Sequence, residues 1–260
     1  MKKYVNLFVF VFMVGACFSQ GKAQTKSAVS YKNPVVDIAM PDPTVIKAAD
    51  GYFYMYATES TRNVPIMKSK DLVQWTYCNT AFTNKTRPRF EPKAGIWAPD
   101  INYINNKYVL YYAMSVWGGE QTCGIGVATA NSPQGPFTDH GKMLRSNEIG
   151  VQNSIDPSLL QYEGRNYLVW GSFRGIYVIE LTADGLSIMP GAKKKRIAGT
   201  AFEAVYIHKH DDYYYMFASI GSCCQGVKST YKVVVGRSKK VWGPYKDKTG
   251  KPMLKNGYSL

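Results

Sequence analysis

DPTVIKAADGYFYMYAT at residues 42–58 and DPSLLQYEGRNYLVWGS at residues 156–172 share one layout. Each starts with an Asp-Pro step, runs through a short apolar stretch and a glycine turn, and ends in a longer aromatic run. β-Branched and aromatic runs bounded by turn residues are strand signals, and two of them across a tight turn make a hairpin. Two more copies follow the same plan, PDINYINNKYVLYYAMS at residues 99–115 and EAVYIHKHDDYYYMFAS at residues 203–219, headed by Asp100 and Glu203. Weaker tails rich in Ser, Gly and Pro come after them, as in IMKSKDLVQWT at 66–76, GVATANSPQGPFTDH at 126–140 and VVVGRSKKVWGPYKD at 233–247. These tails read as the outer strands of the same units.

A four-stranded unit repeated every few tens of residues describes an all-β fold, the β-propeller. The first strand of each blade lines the central channel. Acids far apart in sequence (Asp42, Asp100, Asp156 and Glu203) are thereby brought toward one pocket. A β-sandwich accommodates the same strands but gives no reason for the four acids to meet. No segment carries a helical period of useful length.

The chain has 260 residues, 45% hydrophobic and 14% aromatic, enough for one domain with a substantial core. Residues 1–23 read as a signal peptide. Lys2 and Lys3 precede an apolar run at residues 7–18 that is too short to span a bilayer, and Gly21-Lys22-Ala23 offers a cleavage site. Val14-Gly15-Ala16-Cys17 also fits a lipoprotein signal over residues 1–16, with Cys17 as the lipid anchor. The expectation is a domain at residues 24–260 that is secreted, periplasmic or lipid-anchored at a bacterial cell envelope, and a monomer.

Export permits disulfides, yet the remaining cysteines are too few for a disulfide scaffold. Cys223 and Cys224 are adjacent, while Cys78 and Cys123 stand alone, and none has metal-ligand spacing. They read as buried or locally paired. The formal charge of +14 raises nucleic-acid binding. The basic residues are dispersed, however; the one dense run, residues 193–196, lies in a Pro/Gly-rich connection with no nucleic-acid motif beside it. A cationic surface on an exported protein favours acidic polysaccharide instead.

Convergent carboxyl groups with aromatic walls suit glycoside hydrolysis, in which one carboxylic acid protonates the leaving oxygen and a carboxylate activates water or attacks. A third carboxylate raises the pKa of the acid by like-charge repulsion. Trp97, Trp117, Trp170 and Phe173 lie near the ends of candidate channel strands, where rings stack on sugars. An isolated Asp-Pro is ordinarily a turn-former, and an aromatic strand residue is ordinarily core. Repetition is what lifts these residues above that reading.

The stretches DPTVI, GIWAPDI, NSIDPSL, WGSF, FEAVYI, GSCCQGVKSTYKVVVGRS and GPYKDKTGKPML, within residues 41–254, resemble glycoside hydrolase family 43 and especially its endo-α-1,5-L-arabinanase branch. The resemblance implies a five-bladed propeller and inverting cleavage of arabinan, the side chains of pectin, with no cofactor needed for the chemistry. It implies Asp42 as general base, Glu203 as general acid, and Asp156 as the residue that orients the acid and raises its pKa. Trp97 and Trp117 fall near the bound arabinose chain, and Asn153 and Ser154 flank the site; Asp100 and Phe173 complete the expected substrate contacts. Two departures stand out. Glu203 is followed by Ala204-Val205 where the family usually has Ala-Pro. The family's fifth blade carries a histidine serving a central metal ion, often calcium, and His140, His208 and His210 do not match it. The chain therefore reads as about four blades plus part of a fifth, C-terminally truncated. Exo-acting arabinofuranosidase or β-xylosidase action is the nearest alternative. A non-catalytic carbohydrate-binding propeller comes next; a protein-interaction propeller lacks WD-type repeats.

Overall fold

A computed structural model describes residues 30–260. The signal-peptide reading, with Cys17, lies outside the described residues. Residues 33–260 form one compact unit.

That unit contains four antiparallel sheets, each a meander of neighbours in chain order. The first blade comprises β1 (Thr44–Lys47), β2 (Phe53–Tyr56), β3 (Pro65–Ser69) and β4 (Thr76–Thr80). The second comprises β5 (Gly95–Ile104), β6 (Lys107–Ser115), β7 (Gly124–Ala130) and β8 (Thr138–Arg145). The third comprises β9 (Ser158–Tyr162), β10 (Arg165–Trp170), β11 (Ile176–Glu180) and β12 (Lys195–Ala198). The fourth comprises β13 (Glu203–His210), β14 (Tyr213–Ile220) and β15 (Lys232–Ser238). Four-stranded sheets arranged by successive inner strands are the blades of a propeller.

Propeller packing explains why β6 and β10 are apolar without alternation. A middle blade is covered on both faces. Tyr108, Leu110, Tyr112 and Met114 of β6 join the core shared with the first blade. Val109 and Tyr111, pointing the other way, join the core shared with the third. Leu168 and Trp170 of β10 face that same second core, while Val169 faces the core of the fourth blade. The fourth blade alternates over most of its length, with Val205, Ile207, Met216, Ala218 and Val234 buried and Tyr206, Phe217, Val233 and Val235 exposed on the opposite face.

Residues after β15 complete this blade rather than begin another. Arg237 and Lys246 exchange two backbone N–H···O bonds of 2.8 and 3.0 Å, which puts Lys246 in the fourth-strand position. Met253 then accepts from Gly199 N–H at 3.0 Å and fills the space above Gly236, where a Cβ would sit 2.3 Å from its sulfur. Asn256 Oδ1 accepts from Ala201 N–H at 3.0 Å. The expected piece of a fifth blade is thus the outer edge of the fourth, stapled back to the third, and the described residues contain no fifth-blade strand.

Candidate active site

The inner strands β1, β5, β9 and β13 begin with the same backbone device. Asp42, Ala98, Asp156 and Ala204 have φ of +49°, +41°, +58° and +50°, the left-handed region that costs a non-glycine residue energy and clusters at functional sites. In β5 and β13 the device is a β-bulge, between Trp97 and Asp100 and between Glu203 and Tyr206. It corrects the repeat inferred from the acids. Asp42 and Asp156 are true equivalents. Glu203 stands one residue before that position, and Asp100 stands two residues after it.

The two-residue offset gives Asp100 a different task. Asp100 Oδ2 accepts from Leu159 N–H at 2.7 Å and from Asn102 Nδ2 at 2.7 Å. At the equivalent places Thr44 Oγ1 accepts from Ile101 N–H at 3.3 Å, and Ser158 Oγ donates to the Val205 carbonyl at 2.7 Å. These bonds join each inner strand to the next. Burial pushes the Asp100 carboxyl up to about 6 against the opposing bonds from Leu159, Asn102 and Thr44. Asp100 is a blade-to-blade strut.

The other three acids meet. Asp156 is held well above the usual carboxylate range, first by burial and then by the negative charges of Glu203 and Asp42. One of its oxygens accepts from Ala204 N–H at 3.2 Å, so it touches the backbone directly after Glu203.

Glu203 is buried, and its Oε2 accepts from Ser172 Oγ at 2.6 Å. Asn153 Nδ2 in turn donates to Ser172 Oγ at 2.9 Å and to the Ser172 carbonyl at 3.2 Å. Burial first, and then the charges of Glu203 and Asp156, push the nearby Tyr231 phenol up. Asp42 is exposed, its Oδ2 accepting from Thr58 Oγ1 at 2.6 Å. Thr58 Oγ1 also accepts from Ala98 N–H at 2.7 Å, fixing this carboxylate between the first two blades. Ser172, Tyr231 and Thr58 escaped the sequence reading. Each lies at the end of an aromatic run or a loop, where only tertiary contact reveals a role.

The aromatic assignments divide. Trp117 is 78% exposed, with its ring centroid 6.3 Å from that of half-buried Trp97. Gly95 leaves room for the Trp97 indole, since a Cβ there would lie 2.3 Å from Nε1. Phe173 is half-buried and tied by its N–H to the Phe202 carbonyl at 2.9 Å. Trp170 is core, its Nε1 donating to Ser154 Oγ at 3.1 Å. Ser154 is itself fully buried and donates to the Val151 carbonyl at 2.7 Å, so it supports the site from beneath and touches no substrate. At the rim Arg174 pairs with Glu120 at 2.8 Å.

The residues do not fit the calcium site that the resemblance implies. Among the described residues no group of three His, Cys, Asp or Glu side chains is placed to hold a metal. His140 bonds Thr129 Oγ1 at 2.8 Å, His208 stacks on exposed Tyr206, and His210 lies 3.6 Å from Asp211, all away from the three acids.

The model of glycosyl hydrolases family 43 matches residues 31–259. The extracellular endo-α-(1→5)-L-arabinanase 1 of Bacillus subtilis (strain 168) is 39% identical over 233 residues, covering 84% of this chain and 71% of the relative. The extracellular exo-α-(1→5)-L-arabinofuranosidase ArbA of Cellvibrio japonicus (strain Ueda107) is 36% identical over 248 residues, covering 84% and 70%. Among solved structures, the Cellvibrio cellulosa α-L-arabinanase superimposes with a TM-score of 0.78 at 33% identity, over 86% of this chain and 78% of that one. Its complex with arabinohexaose gives 0.77 at 32% identity, with the same coverage. The chain is a glycoside hydrolase and belongs to glycosyl hydrolases family 43.

Proposed function

We propose that the protein cleaves α-1,5-linked L-arabinan internally, with inversion, as an exported monomer acting on plant cell-wall polysaccharide. The observation that carries this reading is the meeting of three carboxyl groups in unlike surroundings: Asp42 open to solvent, Glu203 buried with the Ser172 hydroxyl bonded to it, and Asp156 feeling the charges of both. An inverting glycosidase needs one carboxylate with access to water and one carboxylic acid at the leaving oxygen.

Asp42 is the general base. Thr58 holds one of its oxygens, leaving the other free to take a proton from water as that water attacks the anomeric carbon. Glu203 is the general acid, giving its proton to the glycosidic oxygen as the bond breaks. Asp156, bonded to Ala204 N–H, orients the acid's backbone, and the Glu203 charge is among the causes that hold the Asp156 carboxyl well above the usual range. Trp97 and Trp117 offer ring faces to the arabinose chain, with Asn153 and Phe173 at the other side. No metal step is included, because the side chains present do not form a site for one.

Export and internal cleavage are supported by the Bacillus subtilis relative, which is named as extracellular and endo-acting. The exposed Trp117 ring favours the same mode. Exo action is the second reading, supported by the Cellvibrio japonicus relative. Sizing the products of linear arabinan over time decides between them: oligomers from the first minutes support endo cleavage, and monomer alone overturns it. Glu203→Gln is expected to lower turnover roughly a thousand-fold, within the usual span for a general acid, while binding is retained. Retained turnover overturns the assignment.

A further inference from the structure

One residue, Glu120, draws three loops together: its own between β6 and β7, the one before β9 that carries Asn153 and Asp156, and the one between β10 and β11 that carries Ser172 and Phe173. Gln152 Nε2 donates to Glu120 Oε2 at 2.8 Å, and Arg174 Nη2 lies 3.0 Å from Oε1 and 2.8 Å from Oε2. The Glu120 carbonyl accepts from Asn153 N–H at 2.7 Å. Trp117 belongs to the same loop as Glu120. Gly119 N–H donates to the Val116 carbonyl at 2.8 Å, closing a turn in which Gly118 takes φ +81° and Trp117 stands at the tip.

Phe173 directly follows Ser172, which donates to the Glu203 carboxyl, and its backbone is left-handed at φ +50°. That conformation costs a non-glycine residue energy and persists only where the surroundings hold it. Here it is held from both sides. Phe173 N–H donates to the Phe202 carbonyl at 2.9 Å, and Arg174 Nη1 donates to the Phe173 carbonyl at 2.9 Å. The Arg174 guanidinium thus grips the Phe173 backbone with one nitrogen and Glu120 with the other, through a rigid planar fork.

We infer that Glu120 and Arg174 are positioning residues for substrate binding, their ion pair fixing Phe173 relative to the turn that carries Trp117 so that one arabinose chain lies against both rings. The inference rests on the arabinan reading, in which Phe173 and Trp117 touch the sugar chain. Its effect falls on binding rather than on chemistry. Asn153 is held by the Glu120 backbone carbonyl and reaches Glu203 through Ser172, a path that survives loss of either charged side chain. The two side chains are 32% and 42% exposed, and an ion pair so open to solvent adds little to stability. Breaking the pair therefore leaves the fold in place and frees the carbonyl side of Phe173.

The test is Arg174→Ala, Glu120→Ala and the double variant assayed on linear arabinan, with urea melts confirming the fold. Each single change is expected to raise KM by about five-fold with kcat within about two-fold, and the double variant to match the singles instead of multiplying them. A rise of about twenty-five-fold in the double variant would mean that the two side chains meet substrate independently, and overturns the inference. An unchanged KM in both single variants overturns it too. Phe173→Ala separates this inference from the contact on which it rests. If Phe173→Ala raises KM while the two single changes do not, the contact stands and this inference alone falls; if it leaves KM unchanged, both fall. Absence of arabinan cleavage by the wild type overturns the arabinan reading and this inference with it.

Discussion

Ser172 and Glu203 are joined twice: Ser172 Oγ donates to Glu203 Oε2 at 2.6 Å, and the two residues form an isolated backbone bridge. The chain two residues beyond the end of the third blade's β10 thus pairs with the first residue of the fourth blade's inner strand. A carboxyl group gripped through both side chain and backbone has little freedom to rotate, which a proton donor needs if it is to meet the leaving oxygen in one geometry. Asn153 completes the grip by donating to Ser172 from the loop that carries Asp156.

Ser172→Ala is therefore expected to lower kcat by about ten-fold, with KM nearly unchanged. Loss of a hydrogen bond to a buried carboxyl group costs about 1–3 kcal/mol of stability as well. Steady-state kinetics on linear arabinan and a urea melt check both halves. A variant with full kcat would show that Ser172 only joins the blades.

The fold was legible in the sequence because each blade repeats a hairpin with a turn in its middle, and Asp-Pro marks two of the four starts. The site was less so. Reading the acid as the repeated element misplaced Asp100 by two residues and Glu203 by one. The repeated element is a left-handed residue, which is Asp in two blades and Ala in the other two. Pro43, Pro99 and Pro157 follow it in three blades, so the prolines were the better ruler; Val205 breaks that pattern in the fourth. Ser154 and Trp170 looked like site residues from their neighbours in sequence, yet the strand period turns Trp170 into the core, and Ser154, in the loop before β9, is fully buried against it. The C-terminal stretch resisted reading because its pairing with Arg237 is a single bridge, too short to leave a strand pattern.

Asp100 gives a pH-dependent signature of the blade contacts. Its carboxyl is pushed up to about 6 in the folded protein, from an ordinary value of 3.8, chiefly by burial. A folded pKa above the unfolded one means that the stabilising form is the protonated one. Its contribution is complete below about pH 4 and is lost as pH rises through about 6. Asp100→Asn still accepts from Leu159 N–H and does not titrate. Its stability relative to wild type should therefore improve by about 2 kcal/mol between pH 4 and pH 7. Paired denaturant melts at the two pH values measure this, and a pH-independent difference would contradict the strut.

Trp117 separates binding from chemistry. At 78% exposure its ring contributes little to folding, and it stands beside Trp97. Trp117→Ala should raise KM on long arabinan by about ten-fold, equivalent to about 1.4 kcal/mol, with kcat nearly unchanged. The same change should matter less on an oligomer too short to reach the ring. Equal losses on long and short substrates would place Trp117 at the reacting sugar instead.

The staple at Met253 tests how the fourth blade is held. Met253 is fully buried, its side chain packing on Gly236 while its backbone joins Gly199 and Tyr245. Met253→Ala empties a core position and is expected to cost about 2–5 kcal/mol, as other buried Met-to-Ala changes do. Gly236→Ala attacks the same contact from the other side, because its Cβ would lie 2.3 Å from the Met253 sulfur. If the two changes act only through that contact, Gly236→Ala should destabilise strongly with Met253 present and much less in the Met253→Ala background, where the space has been cleared. A double-mutant cycle from urea midpoints reads the coupling, and additive effects would mean that the tail and β15 are held independently.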